Sequence, residues 1–150
     1  MENIVLIGMP ASGKSTVARE LAKYGYTVYD TDLMLGMSVA EYIETIGESG
    51  FRKKEKEIIQ SLKGVTNSVI SCGGGITEGV EDLGRVIWLD CDIRILKERL
   101  KGDIARPLVK DIDTLYRMRR PLYGAIAQDV IDSGKMSAES IANHICYRLT

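Results

Sequence analysis

A three-layer α/β/α domain built on one parallel sheet is the fold class this sequence predicts. Three observations point to it. Short apolar runs of strand length recur along the chain, separated by stretches with helical spacing. The runs are apolar throughout rather than alternating, as in Val86-Ile87-Trp88-Leu89 and Val69-Ile70, which suits strands covered on both faces. The first run, Ile4–Ile7, leads into Gly8-Met9-Pro10-Ala11-Ser12-Gly13-Lys14-Ser15-Thr16, which fits G-x-x-x-x-G-K-[ST] and is followed by a helical stretch. A chain of 150 residues fits one domain with one core.

The elements follow in order. Strands are expected at 3–7, 27–29, 67–72, 85–90 and 129–132, with helices between them and after the last. The first helix reads from Thr16 to Lys23. Ser38-Val39-Ala40-Glu41 is a capping box, so a helix begins at Val39, with Tyr42, Ile43 and Ile46 on its apolar face and Gly47 at its end. A second helix runs from about Gly50 to Leu62 on Ile58, Ile59 and Leu62. Two helices exceed what a minimal crossover needs, so residues 33–62 read as a helical insertion suited to an acceptor site. Residues 102–114 hold few core candidates and read as a lid. Ser137 caps the last helix, which packs through Ile141, Ile145 and Leu149.

Composition narrows the function classes. A net charge of −1 and the lack of aromatic interleaving among Arg117, Arg119 and Arg120 argue against nucleic-acid binding. The N-terminus runs straight into the first strand with no leader or membrane-length apolar segment, so a cytoplasmic location is expected, away from membranes. No apolar stripe is left over once the core is assigned, and a monomer is the default. Cys72, Cys91 and Cys146 are too scattered for a disulfide framework or a zinc site and read as small buried hydrophobes. Trp88 reads as core, and His144 as structural.

The polar residues that carry chemistry cluster at strand ends. Glycines at 8 and 13 let the backbone close around a phosphate, and loop N–H groups with the helix N-terminus face the anion. Lys14 can reach the β- and γ-phosphates, and the Ser15 hydroxyl can hold Mg²⁺. Asp30-Thr31-Asp32 closes the second strand at the edge where open α/β sheets bind ligands. One aspartate can serve the Mg²⁺ shell and the other an acceptor hydroxyl; a plain polar turn is the alternative. Gly73-Gly74-Gly75 allows close backbone approach to a ligand, or is simply a flexible loop. Arg52, with Glu55 three residues on to orient it, and the lid residue Arg106 offer forks for carboxylates or phosphates. Arg117 reads as a solvated surface residue.

In this order the chain resembles the shikimate kinase family over nearly its whole length. The resemblance rests on G-x-P-A-S-G-K-S-T at 8–16, Asp30-Thr31-Asp32, and Gly47-Glu48 leading to Phe51-Arg52 and Glu55. It continues through Gly73-Gly74-Gly75, Arg106-Pro107-Leu108, and Arg119 before Pro121-Leu122-Tyr123. It implies ATP-dependent phosphorylation of the shikimate 3-hydroxyl, a step of chorismate and aromatic amino acid biosynthesis, with Mg²⁺ as cofactor. It also implies a five-stranded parallel sheet in the order 2-3-1-4-5. The roles it implies are these. Ala11, Ser12, Gly13, Lys14, Ser15, Thr16, Arg99, Arg106 and Lys135 bind ATP. Asp32, Arg52, Gly73, Gly74, Gly75 and Arg119 bind shikimate, the two arginines taking its carboxylate. Ser15 and, through water, Asp30 attend the metal. Lys14, Asp32 and Arg106 are catalytic, with Asp32 the candidate base. Two departures from the family pattern stand out: a short run, Leu33-Met34-Leu35-Gly36-Met37, between Asp32 and Ser38, and a short stretch from Arg106 to Arg119. The alternatives are a kinase for another carboxylate-bearing acceptor such as gluconate, and a nucleotide-binding regulatory relative without turnover.

Overall fold

The computed structural model describes residues 1–101 and 111–150. Its centre is a parallel sheet of β1 (Ile4–Ile7), β2 (Thr27–Asp30), β3 (Ser68–Ser71), β4 (Arg85–Asp90) and β5 (Asp129–Asp132). The strand order is β2-β3-β1-β4-β5, the one the family resemblance implies. The helices are α1 (Lys14–Ala22), α2 (Val39–Ile46), α3 (Glu48–Ser61), α4 (Ile93–Lys101), α5 (Ile112–Ile126) and α6 (Ala138–His144). A single 3-10 turn spans Leu33–Leu35, and α6 widens into a π turn over Ile145–Leu149. Among the described residues no helix is long and apolar enough to cross a membrane.

β1 is central and wholly buried because all four of its residues are aliphatic. Successive side chains of a strand leave on opposite faces, and this splits the core in two. Val5 and Ile7 join Ile70, Val86 and Trp88 under Phe51 and Ile58 of α3, Leu96 of α4 and Tyr123 of α5. Ile4 and Leu6 join Val69, Ile87 and Leu89 under Val17 and Leu21 of α1 and Ile141 of α6. Trp88 is core, as expected. The sheet's outer strands are less covered, with Val28 of β2 and Val130 of β5 exposed.

The structure departs from the sequence reading in several places. The connection from β3 to β4 carries no helix, because Gly73, Gly74, Gly75, Gly79 and Gly84 make the segment a poor helix former and a chain of turns instead. The first helix starts at Lys14, two residues early, since Gly13 at φ 103° is already its N-cap. α3 starts at Glu48. Gly47, at φ 90°, both closes α2, donating its N–H to the Ile43 carbonyl, and opens α3, accepting from the Phe51 N–H. Ser38 and Ser137 cap α2 and α6 through their side chains as expected. Cys72 and Cys91 are buried, but Cys146 is only half-buried, because it packs at the edge of the core between α1 and α6 rather than inside it. Of the expected lid, residues 102–110 lie outside the described residues, and Ile112 begins α5, whose first turn Asp111 caps by accepting from the Thr114 N–H. Arg117 is exposed.

Candidate active site

The C-terminal ends of the strands converge on one edge, on either side of β1, where the chain switches from building β2 and β3 on one flank to β4 and β5 on the other. A cavity of about 690 Å³ opens there.

One wall is the loop between β1 and α1. Gly13 at φ 103° and Ala11 at φ 67° hold left-handed backbone that curls the loop into a cradle. A Cβ on Gly8 would lie 2.7 Å from the Leu89 carbonyl, so only glycine lets the loop leave the sheet at that point. Lys14 is 8% exposed and donates to the carbonyls of Gly8 (2.7 Å) and Met9 (2.8 Å), which poises the ammonium at the mouth of the loop. Ser12 Oγ is buried with no hydrogen-bond partner among the described residues, an orphaned polar group that a phosphate oxygen would satisfy. Ser15 donates its hydroxyl to Asp30 Oδ2 at 2.9 Å, so the two oxygen groups expected around a cation already meet. The other Asp30 oxygen accepts from the N–H groups of Asp32 and Leu33, which fixes the strand end and starts the 3-10 turn. At the rim Arg99 of α4 donates to the carbonyls of Ala11 (3.0 Å) and Ser133 (3.2 Å), tying the phosphate loop to the turn after β5.

The opposite wall comes from α2, α3, α5 and the glycine loop after β3. Val39, Ala40, Ile43 and Phe51 supply its apolar surface. Arg52 donates to Glu55 Oε1 at 2.6 Å and stacks 5.1 Å from the Phe51 ring centroid. Glu55 is buried, and burial raises its carboxyl above the ordinary range, with Arg52 pulling it back. Each glycine of the loop faces a different neighbour. A Cβ on Gly73 would lie 2.6 Å from Asp32 Oδ1 and 3.3 Å from Glu55 Oε2; one on Gly74 would lie 2.8 Å from Pro10 Cδ; one on Gly75 would collide with the Arg52 guanidinium. The Gly73 N–H donates to Thr31 Oγ1 at 2.9 Å. Among the described residues the Gly74 and Gly75 N–H groups carry no hydrogen bond, so both are available to a ligand.

Of the residues singled out from the sequence, the run Ala11–Thr16, Asp30, Asp32, Arg52, Gly74, Gly75, Arg99 and Arg119 line this one cavity. Gly73 stands behind it, against Asp32 and Glu55. Lys135 is exposed 3.6 Å from Asp132 and is not part of the cavity wall, while its neighbour Ser133 is. Arg106 lies outside the described residues. Arg120 is turned away: it donates to Asp90 Oδ2 at 2.7 Å and lies over the rings of Trp88 and Tyr116, which anchors α5 to β4. Two residues the sequence reading left without a role stand out. Thr31, buried just past the end of β2 between two aspartates that line the cavity, holds the Gly73 amide. Tyr123, quoted only as part of a motif, is fully buried against the glycine loop, and nothing in its local spacing announces that contact.

Comparison with known proteins gives one consistent family. A family model described as shikimate kinase matches residues 10–150. The chain is 41% identical to a shikimate kinase of Helicobacter hepaticus, covering 97% of this chain and 94% of that protein. It is 37% identical to one from Persephonella marina, with 99% of each chain covered. Among solved structures, shikimate kinase from Acinetobacter baumannii in complex with shikimate superimposes with a TM-score of 0.91 at 27% identity, over 99% of this chain and 93% of that one.

Proposed function

The chain belongs to the shikimate kinase family of phosphotransferases, and we propose that its cavity transfers the γ-phosphoryl group of ATP to the 3-hydroxyl of shikimate. One observation carries the assignment of roles: a phosphate cradle on one wall faces a carboxylate clamp and a hydroxyl-orienting aspartate on the other, within a single cavity. Phosphoryl transfer needs positioning and charge neutralisation more than covalent chemistry, and these walls supply both.

Ala11 to Thr16 hold the phosphates of ATP through loop N–H groups, with the Ser12 hydroxyl gaining the partner it lacks. Lys14 swings from its carbonyl partners to the β- and γ-phosphates. The Ser15 hydroxyl and Asp30 carboxylate are hard oxygen donors at 2.9 Å and fit Mg²⁺, Asp30 through water. When bound, Mg²⁺ neutralises charge on the phosphate oxygens. Arg99 offers its guanidinium to the adenine, steadied by two carbonyls. Lys135 carries the role in ATP binding that the family resemblance implies, from the exposed turn after β5 and outside the cavity wall. On the acceptor wall Arg52 and Arg119 take the shikimate carboxylate, and the N–H groups of the glycine loop take a hydroxyl. Asp32 orients the attacking hydroxyl and accepts its proton as the bond to phosphorus forms. Arg106 carries the role the family resemblance implies, neutralising charge on the transferred group.

The test is ADP release from MgATP with shikimate, beside gluconate and no-acceptor controls. Shikimate-dependent release with shikimate 3-phosphate recovered is the expected result. Release that ignores shikimate, or that gluconate supports equally, overturns the reading.

A further inference from the structure

The glycine loop raises a question its sequence does not answer: what keeps a Gly-Gly peptide in one orientation. Glycines lack the side-chain sterics that bias φ and ψ, so the peptide plane between Gly74 and Gly75 has little of its own to stop it turning over. In this structure that plane is held from outside the loop. Tyr123 is 0% exposed, and its hydroxyl donates to the Gly74 carbonyl. Its ring packs against Trp88 of β4 with centroids 5.7 Å apart. The same hydroxyl lies 3.9 Å from Met9 Sδ in the phosphate loop, and Pro10 of that loop fills the space a Cβ on Gly74 would take. Burial pushes the Tyr123 hydroxyl up to about 12, with the Arg119 guanidinium opposing the rise, so it keeps its proton and remains a donor at neutral pH.

A trans peptide is planar, and its C=O and N–H point in opposite directions. No peptide bond in the described chain is cis. A Gly74 carbonyl drawn toward buried Tyr123 therefore turns the Gly75 N–H the other way, and Gly75 lines the cavity. Tyr123 and Arg119 stand four residues apart on α5, on one face of the helix. One helix face thus supplies a cation to the acceptor and sets the direction of a backbone donor beside it.

We propose that Tyr123 is a positioning residue for the acceptor, its hydroxyl locking the Gly74–Gly75 peptide so that the Gly75 N–H faces the bound substrate. The inference rests on the assignment of the glycine loop and Arg119 to shikimate. The experiment is Tyr123→Phe, which keeps the ring and its packing and removes only the hydroxyl. The shikimate KM rises about tenfold, the range of one lost hydrogen bond, while the ATP KM and acceptor-independent ATP hydrolysis stay within about twofold of wild type. An unchanged shikimate KM overturns the proposal. Equal rises in both KM values, with a fallen Tm, also overturn it by making Tyr123 a packing residue alone. A second measurement needs no variant: in wild-type protein labelled with ¹⁵N-glycine, saturating shikimate slows solvent exchange of the Gly75 amide at least about fivefold and leaves Gly79 unaffected. A Gly75 amide indifferent to shikimate overturns the proposal even where Tyr123→Phe does not fold. Wild-type protein with no shikimate-dependent turnover defeats the functional assignment itself, an outcome distinct from turnover that Tyr123→Phe leaves untouched.

Discussion

The two walls of the cavity face each other but are made from different parts of the chain. The phosphate wall is backbone, a loop strung between the fully buried strand β1 and helix α1, with even its lysine 8% exposed. The acceptor wall is mostly side chain: Arg52 and Glu55 reach in from α3, Asp32 from just past the end of β2 and Arg119 from α5, and α2 beside them has no fully buried residue. A wall of backbone takes its shape from the core behind it. A wall of side chains takes its shape from ion pairs and stacking, such as Arg52 on Glu55 and Phe51. The first suits a ligand portion that many enzymes share. The second can be altered charge by charge to suit a particular acceptor.

That contrast can be broken or sharpened by substitution. The largest effect belongs to Lys14→Ala, which removes the cation of the phosphate wall. We expect kcat to fall at least 10²–10³-fold, roughly the cost of losing one charge-stabilising donor, with Tm changed little. Steady-state kinetics check it, and a near-normal kcat would mean the loop backbone alone suffices.

Next come changes to the acceptor wall. Arg119→Ala should raise the shikimate KM roughly 10–100-fold by removing one charged hydrogen-bonding partner, without weakening ATP binding. Gly75→Ala should raise the same KM about tenfold by a different route, because the added methyl displaces the Arg52 guanidinium. ATP affinity measured by titration should stay unchanged in both, and a joint loss would erase the distinction between the walls.

Glu55 gives a pH signature. Its carboxyl titrates above the ordinary range of about 4.5 because burial disfavours the charge, with Arg52 opposing. As pH falls through that raised value Glu55 takes a proton and loosens its hold on Arg52. The shikimate KM should therefore climb on the acid side, starting at a higher pH than an ordinary glutamate allows. In Glu55→Gln the KM should be a few-fold higher throughout and this acid limb should vanish. The folded state binds this proton more tightly than the unfolded chain, so the group's contribution to stability falls as pH rises from its ordinary value through its raised one. Glu55→Gln should remove that component from a series of Tm measurements against pH.

The smallest effect is expected from Ser38→Ala. Losing the cap of α2 costs about 1 kcal/mol, and because α2 buries no residue fully the loss should stay local. Faster amide exchange in α2, a shikimate KM raised less than about threefold and a nearly unchanged Tm would fit. A large fall in Tm would show that α2 is part of the core after all.

The sequence by itself determined what depends on near neighbours. Apolar runs placed the five strands within a residue or two, Ser38 and Ser137 announced their helices, and the phosphate loop was legible because its glycines, lysine and serine are consecutive. The glycine triplet was legible as a close approach, although what approaches was not: Asp32, Pro10 and Arg52 come from three distant segments. The missing helix between β3 and β4 was legible in principle, from the glycines that forbid it. The family resemblance singled out Arg119, but only the tertiary structure gives the physical reason why it, and not its neighbour, reaches the cavity. Arg119 and Arg120 are consecutive, yet one lines the cavity and the other lies on Trp88 and Tyr116 and pairs with Asp90. A step of one residue turns a helix by about 100°, so neighbours face different surroundings, and how α5 docks on the sheet selects between them. The hydroxyl of Tyr123 meets Gly74 for the same reason: that contact joins residues 49 positions apart and exists only once helix, sheet and loop are packed together.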